Sequence, residues 1–191
     1  TPGAHWNDRV LSQRSALDGT GPAKGDLESL RKMGFTAAAI APKGGVFRGT
    51  GAVITLADPP ADSEAGVQAL RTGAFHEVAF ETGGFGDSSY PGSQMGALAL
   101  IRQTLSDADW RAEDGKSFTS GSASRERPMP AIALDALARR EKDIPLLFNV
   151  GDELEVLRAA KIAEEFDRPA MIVGSGTEFR RLEAVKDTGL A

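Results

Sequence analysis

The 191-residue sequence contains no cysteine, so disulfides, thiolate metal ligands and thiol nucleophiles are all excluded. The same absence suits a reducing or an oxidising compartment, which leaves cytoplasm and periplasm both open. Histidine is nearly as scarce: His5 and His76 are the only two, far apart and at no ligand spacing, which argues against a histidine-rich metal site. Positive charge is in deficit, with 22 basic against 27 acidic side chains and a net charge of −5. No global positive field is available to attract phosphate backbones, so nucleic acid is a poor partner. No apolar run approaches the ~20 residues that cross a bilayer, and no membrane partner is expected. The chain reads as soluble.

What is present suits one globular domain or part of one, with 41% hydrophobic and 26% charged residues. Residues 26–32 have the spacing of a short amphipathic helix, with Leu27 and Leu30 on one face, ended by Gly34. The apolar runs 35–41 and 52–57 read as strands, closed by Pro42 and by Asp58-Pro59-Pro60. Residues 76–81 alternate, placing Val78 and Phe80 on one side and Glu77, Ala79 and Glu81 on the other. Glycine, serine and proline make 83–93 a loop that feeds a helix over 95–110, with an apolar stripe of Leu98, Ile101, Leu105 and Ala108. Residues 112–130 read as a flexible surface excursion. A helix over 132–140, a strand over 144–150, a helix over 153–166, a strand over 169–174 and a helix over 177–186 complete the order. The stripe of 153–166 is expected on Leu154, Leu157, Ala160, Ala163 and Phe166. Short apolar runs separated by helices predict an α/β fold with a parallel sheet.

In such folds ligands bind at the carboxyl ends of strands. Lys43 and Arg48, set among glycines after the first strand, offer an anion grip or an ordinary surface loop. Glu81 and Asp87 are possible acid, base or ligand carboxylates, or solvated loop charges. Asn149 closes a buried apolar strand and needs partners in the structure or in a ligand, whereas Asp152 is placed to cap the next helix. Gly174-Ser175-Gly176 opens the last helix, and its amides suit a phosphate or carboxylate. Phe179 stands where a dinucleotide fingerprint needs its third glycine, and Ser175 has no histidine nearby in sequence to act as its base.

Several stretches together resemble the amidohydrolase superfamily, in its imidazolonepropionase-like branch. They are Thr1-Pro2-Gly3-Ala4-His5-Trp6-Asn7-Asp8-Arg9-Val10, Arg31-Lys32-Met33-Gly34-Phe35-Thr36-Ala37, Gly45-Val46-Phe47-Arg48-Gly49-Thr50-Gly51 and Ser89-Tyr90-Pro91-Gly92-Ser93-Gln94-Met95-Gly96, with Ile101-Arg102-Gln103-Thr104. Residues 145–176 look like two consecutive units of that family's barrel, the helix ending in Glu165-Phe166. The resemblance implies a partial (β/α)8 TIM barrel of parallel strands alternating with helices, residues 1–191 being its middle part. It implies hydrolysis of non-peptide C–N bonds in a small-molecule substrate, with a divalent metal, zinc foremost, activating water. The family's His-x-His motif would lie before Thr1 and its last-strand Asp beyond Ala191. Two further family histidines fall on Asn149 and Ser175, and Lys142 precedes its strand, so no metal ligand and no cofactor is expected within this segment. Arg48, Asn149 and Ser175 remain as ligand-binding candidates. The segment alone reads as inactive, completed by the rest of its parent chain or by a homo-oligomer. A second reading is a degenerate barrel that binds a small molecule or pairs with an active paralogue. A third is a free-standing flavodoxin-like module holding an anion at Gly174-Ser175-Gly176.

Overall fold

A computed structural model describes residues 3–19, 21–58, 66–83, 89–119, 129–138 and 144–191. Helix α1 (Lys24–Lys32) is followed by strands β1 (Ala37–Ile40), β2 (Phe47–Thr55) and β3 (Gln68–Ala79). Helices α2 (Gln94–Thr119) and α3 (Ile132–Ala138) then lead to β4 (Leu146–Asn149), α4 (Glu153–Glu165) and β5 (Ala170–Val173). A 3-10 turn, Glu178–Arg181, precedes α5 (Leu182–Lys186). The five strands lie in sequence order in one mixed sheet that curls into half of a barrel.

The expected all-parallel arrangement is found only in the second half. β3, β4 and β5 are parallel, but β1 pairs antiparallel with β2, and β2 antiparallel with β3. The reason is connection length. Residues 41–46, with left-handed Gly44 and Gly45, allow only a tight return between β1 and β2, whereas α2 and α3 supply the crossover that a parallel β4 needs. β2 also begins earlier than the apolar run suggests, because residues 10–15 run parallel beside its first half. Val10 bridges Phe47, Ser15 bridges Thr50, and the Thr50 N–H donates to the Arg14 carbonyl at 2.8 Å.

Helices cover one face of the sheet. Val78, Phe80, Leu146, Phe148 and Val150 pack with Leu100, Ile101, Leu105 and Ala108 of α2, with Leu137 of α3, and with Val156, Ala159 and Ile162 of α4. Alternation then places Phe75, Glu77, Leu147, Asn149 and Val173 on the opposite face, where they line a cavity. A smaller core of Leu27, Ile54, Leu56 and Val67 seats α1. α2 continues helical through Thr119, so the predicted flexible stretch is helix over 112–119, while 120–128 lie outside the described residues. The last predicted helix is interrupted at Arg181, whose backbone (φ −140°, ψ 42°) separates the 3-10 turn from α5. Asp152 caps α4 as expected, accepting from the N–H groups of Leu154 (2.9 Å) and Glu155 (2.8 Å).

His76 lies on the helix-covered side, 6% exposed, with no hydrogen-bond partner for Nδ1. Burial, aided by the charge of Arg168, pushes its pKa from 6.5 down to about 4. The unfolded chain therefore binds a proton that the folded chain refuses between pH 6.5 and about 4. Stability from this group is intact above pH 6.5 and falls as the pH drops.

Three outcomes follow for denaturant unfolding. Gly51 faces the Phe75 ring, which stands where a Cβ would go, so Gly51→Ala lowers stability by about 1–3 kcal/mol through overpacking. Asp152→Ala costs about 1 kcal/mol by removing the cap. Lowering the pH from 7 to 4 removes roughly 3 kcal/mol through His76, and His76→Phe flattens that pH dependence.

Candidate functional site

The open face of the sheet carries a polar cluster that starts from a defect in β2. Phe47 pairs with Val78 and Gly49 with Glu77, so Arg48 is the extra residue of a β-bulge. Gly49 tolerates the resulting φ of +122° and lies against the Arg14 carbonyl, where a side chain would collide. The bulge turns Arg48 towards β3. Its guanidinium donates to Glu77 Oε1 at 2.7 Å, to Glu81 Oε2 at 3.2 Å and to the Gly45 carbonyl at 3.3 Å. Asn149, at the carboxyl end of β4, donates from Nδ2 to the same Glu77 Oε1 at 3.2 Å. Three neighbouring strands thus converge on one carboxylate.

Glu77 is 6% exposed, a burial that a carboxylate sustains only when a cation and further donors meet it. Arg9 extends the network, donating to Glu81 Oε1 at 3.3 Å and to Ser89 Oγ at 3.2 Å. Asn7 fixes Arg9 in turn, because its Oδ1 accepts from the Arg9 N–H at 2.9 Å while its Nδ2 donates to the Tyr90 carbonyl at 2.8 Å. Above the cluster lies a cavity of about 450 Å³, floored by Phe75, Leu147 and Val173 and rimmed by Lys43.

Of the residues singled out from sequence, Arg48, Asn149 and Lys43 line this one cavity. Ser175 is not among its lining residues. The Ser175 N–H donates to Glu178 Oε1 at 2.6 Å, so a carboxylate of the chain itself sits where an anion was expected. Those backbone N–H groups, that of Glu178 first and then that of Ser175, hold the Glu178 carboxyl below the usual carboxylate range. Asp87 and Lys142 lie outside the described residues. Sequence reasoning missed the central role of Glu77. The signal was present in the alternation of residues 76–81, which puts Glu77 and Glu81 on one side, away from the apolar Val78 and Phe80. Nothing in the sequence marks Arg9 as their partner.

The donor set does not fit a divalent metal. Among the described residues no group of three or more His, Cys, Asp or Glu is close enough to hold an ion. Asn149 and Ser175 offer an amide and a hydroxyl at the positions that the resemblance assigns to histidines, and Arg48 sets a positive charge against the cluster's buried carboxylate.

A crystal structure described as an amidohydrolase, from Thermotoga maritima MSB8, shares this fold with a TM-score of 0.72. The two are 21% identical over 98% of this chain and 49% of that one, so the present chain spans about half its length. No family model matches the sequence. No curated protein matches it either. The described part of the chain has no helix long and apolar enough to cross a membrane.

Removing the cation tests the cluster as a structural unit. Arg48→Met leaves Glu77 buried without its counter-charge and is expected to cost about 3 kcal/mol in chemical denaturation. A change within ~0.5 kcal/mol of wild type, the range of an ordinary surface substitution, would contradict the burial argument.

Proposed function

We propose that this chain forms half of an amidohydrolase-type (β/α)8 barrel that hydrolyses non-peptide C–N bonds in small molecules. Its own contribution is the wall that holds the substrate. The observation that carries this reading is the convergence of Arg48, Glu77 and Asn149, from three adjacent strands, on one cavity of the open sheet face. In a (β/α)8 barrel the active site lies at the carboxyl ends of the strands, which is where Asn149 and Glu81 stand. The likeness to half of the Thermotoga amidohydrolase supports the same reading. Because the donors on this face do not suit a metal, a water-activating zinc or related ion would be held by residues outside this chain. The remainder of a longer chain or a second copy would supply them. Arg48 and Asn149 then position Glu77, and the apolar floor excludes water from one side of the bound substrate.

A second reading is a barrel that has lost its ligands and binds a small molecule without turning it over, or pairs with an active paralogue. The amide and hydroxyl at positions 149 and 175 favour it, as does the arginine set on Glu77.

The two readings separate by metal analysis of the intact protein and by assay against cyclic amides and N-acyl amino acids. The hydrolase reading expects near-stoichiometric zinc, manganese or iron, with hydrolysis that falls about tenfold in Asn149→Leu, as loss of a half-buried hydrogen bond to a carboxylate predicts. Metal-free protein with no hydrolysis, before or after metal addition, would contradict it in favour of the second reading.

A further inference from the structure

We infer that the groove between α4 and α5 is an interface between two copies of this chain, and that it receives Phe179 and the adjoining Arg180 and Arg181 of the second copy. The inference stands apart from the proposed function. Ile144, Pro169 and Ala170 set the groove at the amino ends of β4 and β5, whereas Asn149 and Glu81 stand at the carboxyl ends of their strands.

The groove measures about 1120 Å³, and its floor is apolar, formed by Leu157 and Ala160 of α4 and by Leu190. All three are only half-buried, so the floor is apolar surface that the chain's own core leaves uncovered. The rim is acidic. Glu164, Asp167 and Asp187 are exposed there and make no ion pair among the described residues. The cations beside them are Lys161 and Arg168, and Arg168 is already answered by Asp109 at 2.9 Å. Three carboxylates against one unspent ammonium suit an apolar group that carries positive charge next to it.

Such a group stands at the other end of α5. Phe179 is 72% exposed and Leu182 60%, both presented by the 3-10 turn and the start of α5. Arg180 and Arg181 are exposed between them and make no ion pair among the described residues. The Arg180 guanidinium lies 6.0 Å from the centre of the Phe179 ring, so ring and charge are offered together. The carboxylate of that turn, Glu178, is spent on the Ser175 N–H at 2.6 Å. On α5 itself Glu183 and Lys186 carry opposite charges and offset each other.

This knob follows the carboxyl end of β5, and the groove lies at its amino end, so one chain cannot fill its own groove with its own knob. Two copies set antiparallel along α5 bring each knob to the other's groove. The contact is then isologous and closes as a dimer instead of growing into a filament. An aromatic and an arginine seated on an apolar floor are the residue types that dominate interface energetics.

The test is sedimentation velocity of the intact protein across a range of concentrations. A dimer that weakens with added salt is expected, and Phe179→Ser is expected to weaken it about tenfold or more. Two charge-reversed variants make the test specific: Arg180→Glu with Arg181→Glu, and Glu164→Lys with Asp187→Lys. All four side chains are exposed, so circular dichroism and denaturation midpoints are expected to stay near wild type. Each variant alone is expected to be monomeric, and an equimolar mixture of the two to dimerise again, because both knob–groove contacts then pair opposite charges. A monomeric wild type, a wild-type dimer that either reversal leaves intact, or folded variants that stay monomeric when mixed would each overturn the assignment and leave the groove to another occupant.

Discussion

A carboxylate buried on a sheet face costs several kcal/mol unless a cation and further donors meet it, and Arg48 meets Glu77 at 2.7 Å. Much of the sheet's local geometry answers to that pairing. A regular β2 would pair one residue with one and send Arg48 elsewhere; the bulge between Phe47 and Gly49 inserts it opposite Glu77. The bulge in turn needs a residue that accepts a positive φ against the Arg14 backbone, which is why Gly49 stands there. Residues 10–15 brace the bulged half of β2, and Arg9, just before them, takes the second carboxylate, Glu81. The first half of the chain can thus be read as support for one ion pair at the edge of a cavity.

The second constraint is that, among the described residues, α2, α3 and α4 all pack on one side of the sheet. α2, α3 and α4 bury Val78, Leu146 and Phe148, and the alternate residues are left to the open face. Phe75 is already buried there, but Leu147 is half-buried and Val173 exposed, apolar surface that the rest of a barrel, a second copy or a ligand would cover. The polar cluster sits within this apolar surface, and that combination of apolar floor and few directed polar groups is what a small-molecule site requires.

The strand–helix alternation from residue 144 to 173 was readable because each apolar run is short and each helix is capped or stopped by a recognisable residue, Asp152 above all. Strand direction was not readable in the first half. Antiparallel pairing of β1 with β2 follows from a connection too short for a helix, and the glycine-rich stretch that holds half of β2 looks like a loop until residues 10–15 are laid beside it. The face of α4 was read correctly at its end, where Ala163 is buried and Phe166 packs on the core, and one row off before it. Leu157 and Ala160 line a groove beside α5, whereas Val156, Ala159 and Ile162 meet the sheet. Both rows are apolar, so periodicity alone has no means of choosing between them. Arg48 and Asn149 were found as strand-end polar residues, but that they share Glu77 depends on a bulge, and bulges leave little trace in residue type.

The proposed function divides chemistry from recognition and gives recognition to this chain, whose fold is shared with about half of the Thermotoga structure. The division depends on Arg48, Glu77 and Asn149 acting as one pre-organised unit rather than as three separate surface contacts. A double-mutant cycle between Arg48→Met and Asn149→Leu, read by denaturant unfolding, tests that directly, since the two residues touch only through Glu77. The account predicts a coupling energy of about 1 kcal/mol or more. Additivity within ~0.5 kcal/mol would contradict it, leaving an ion pair and a nearby amide with no common purpose.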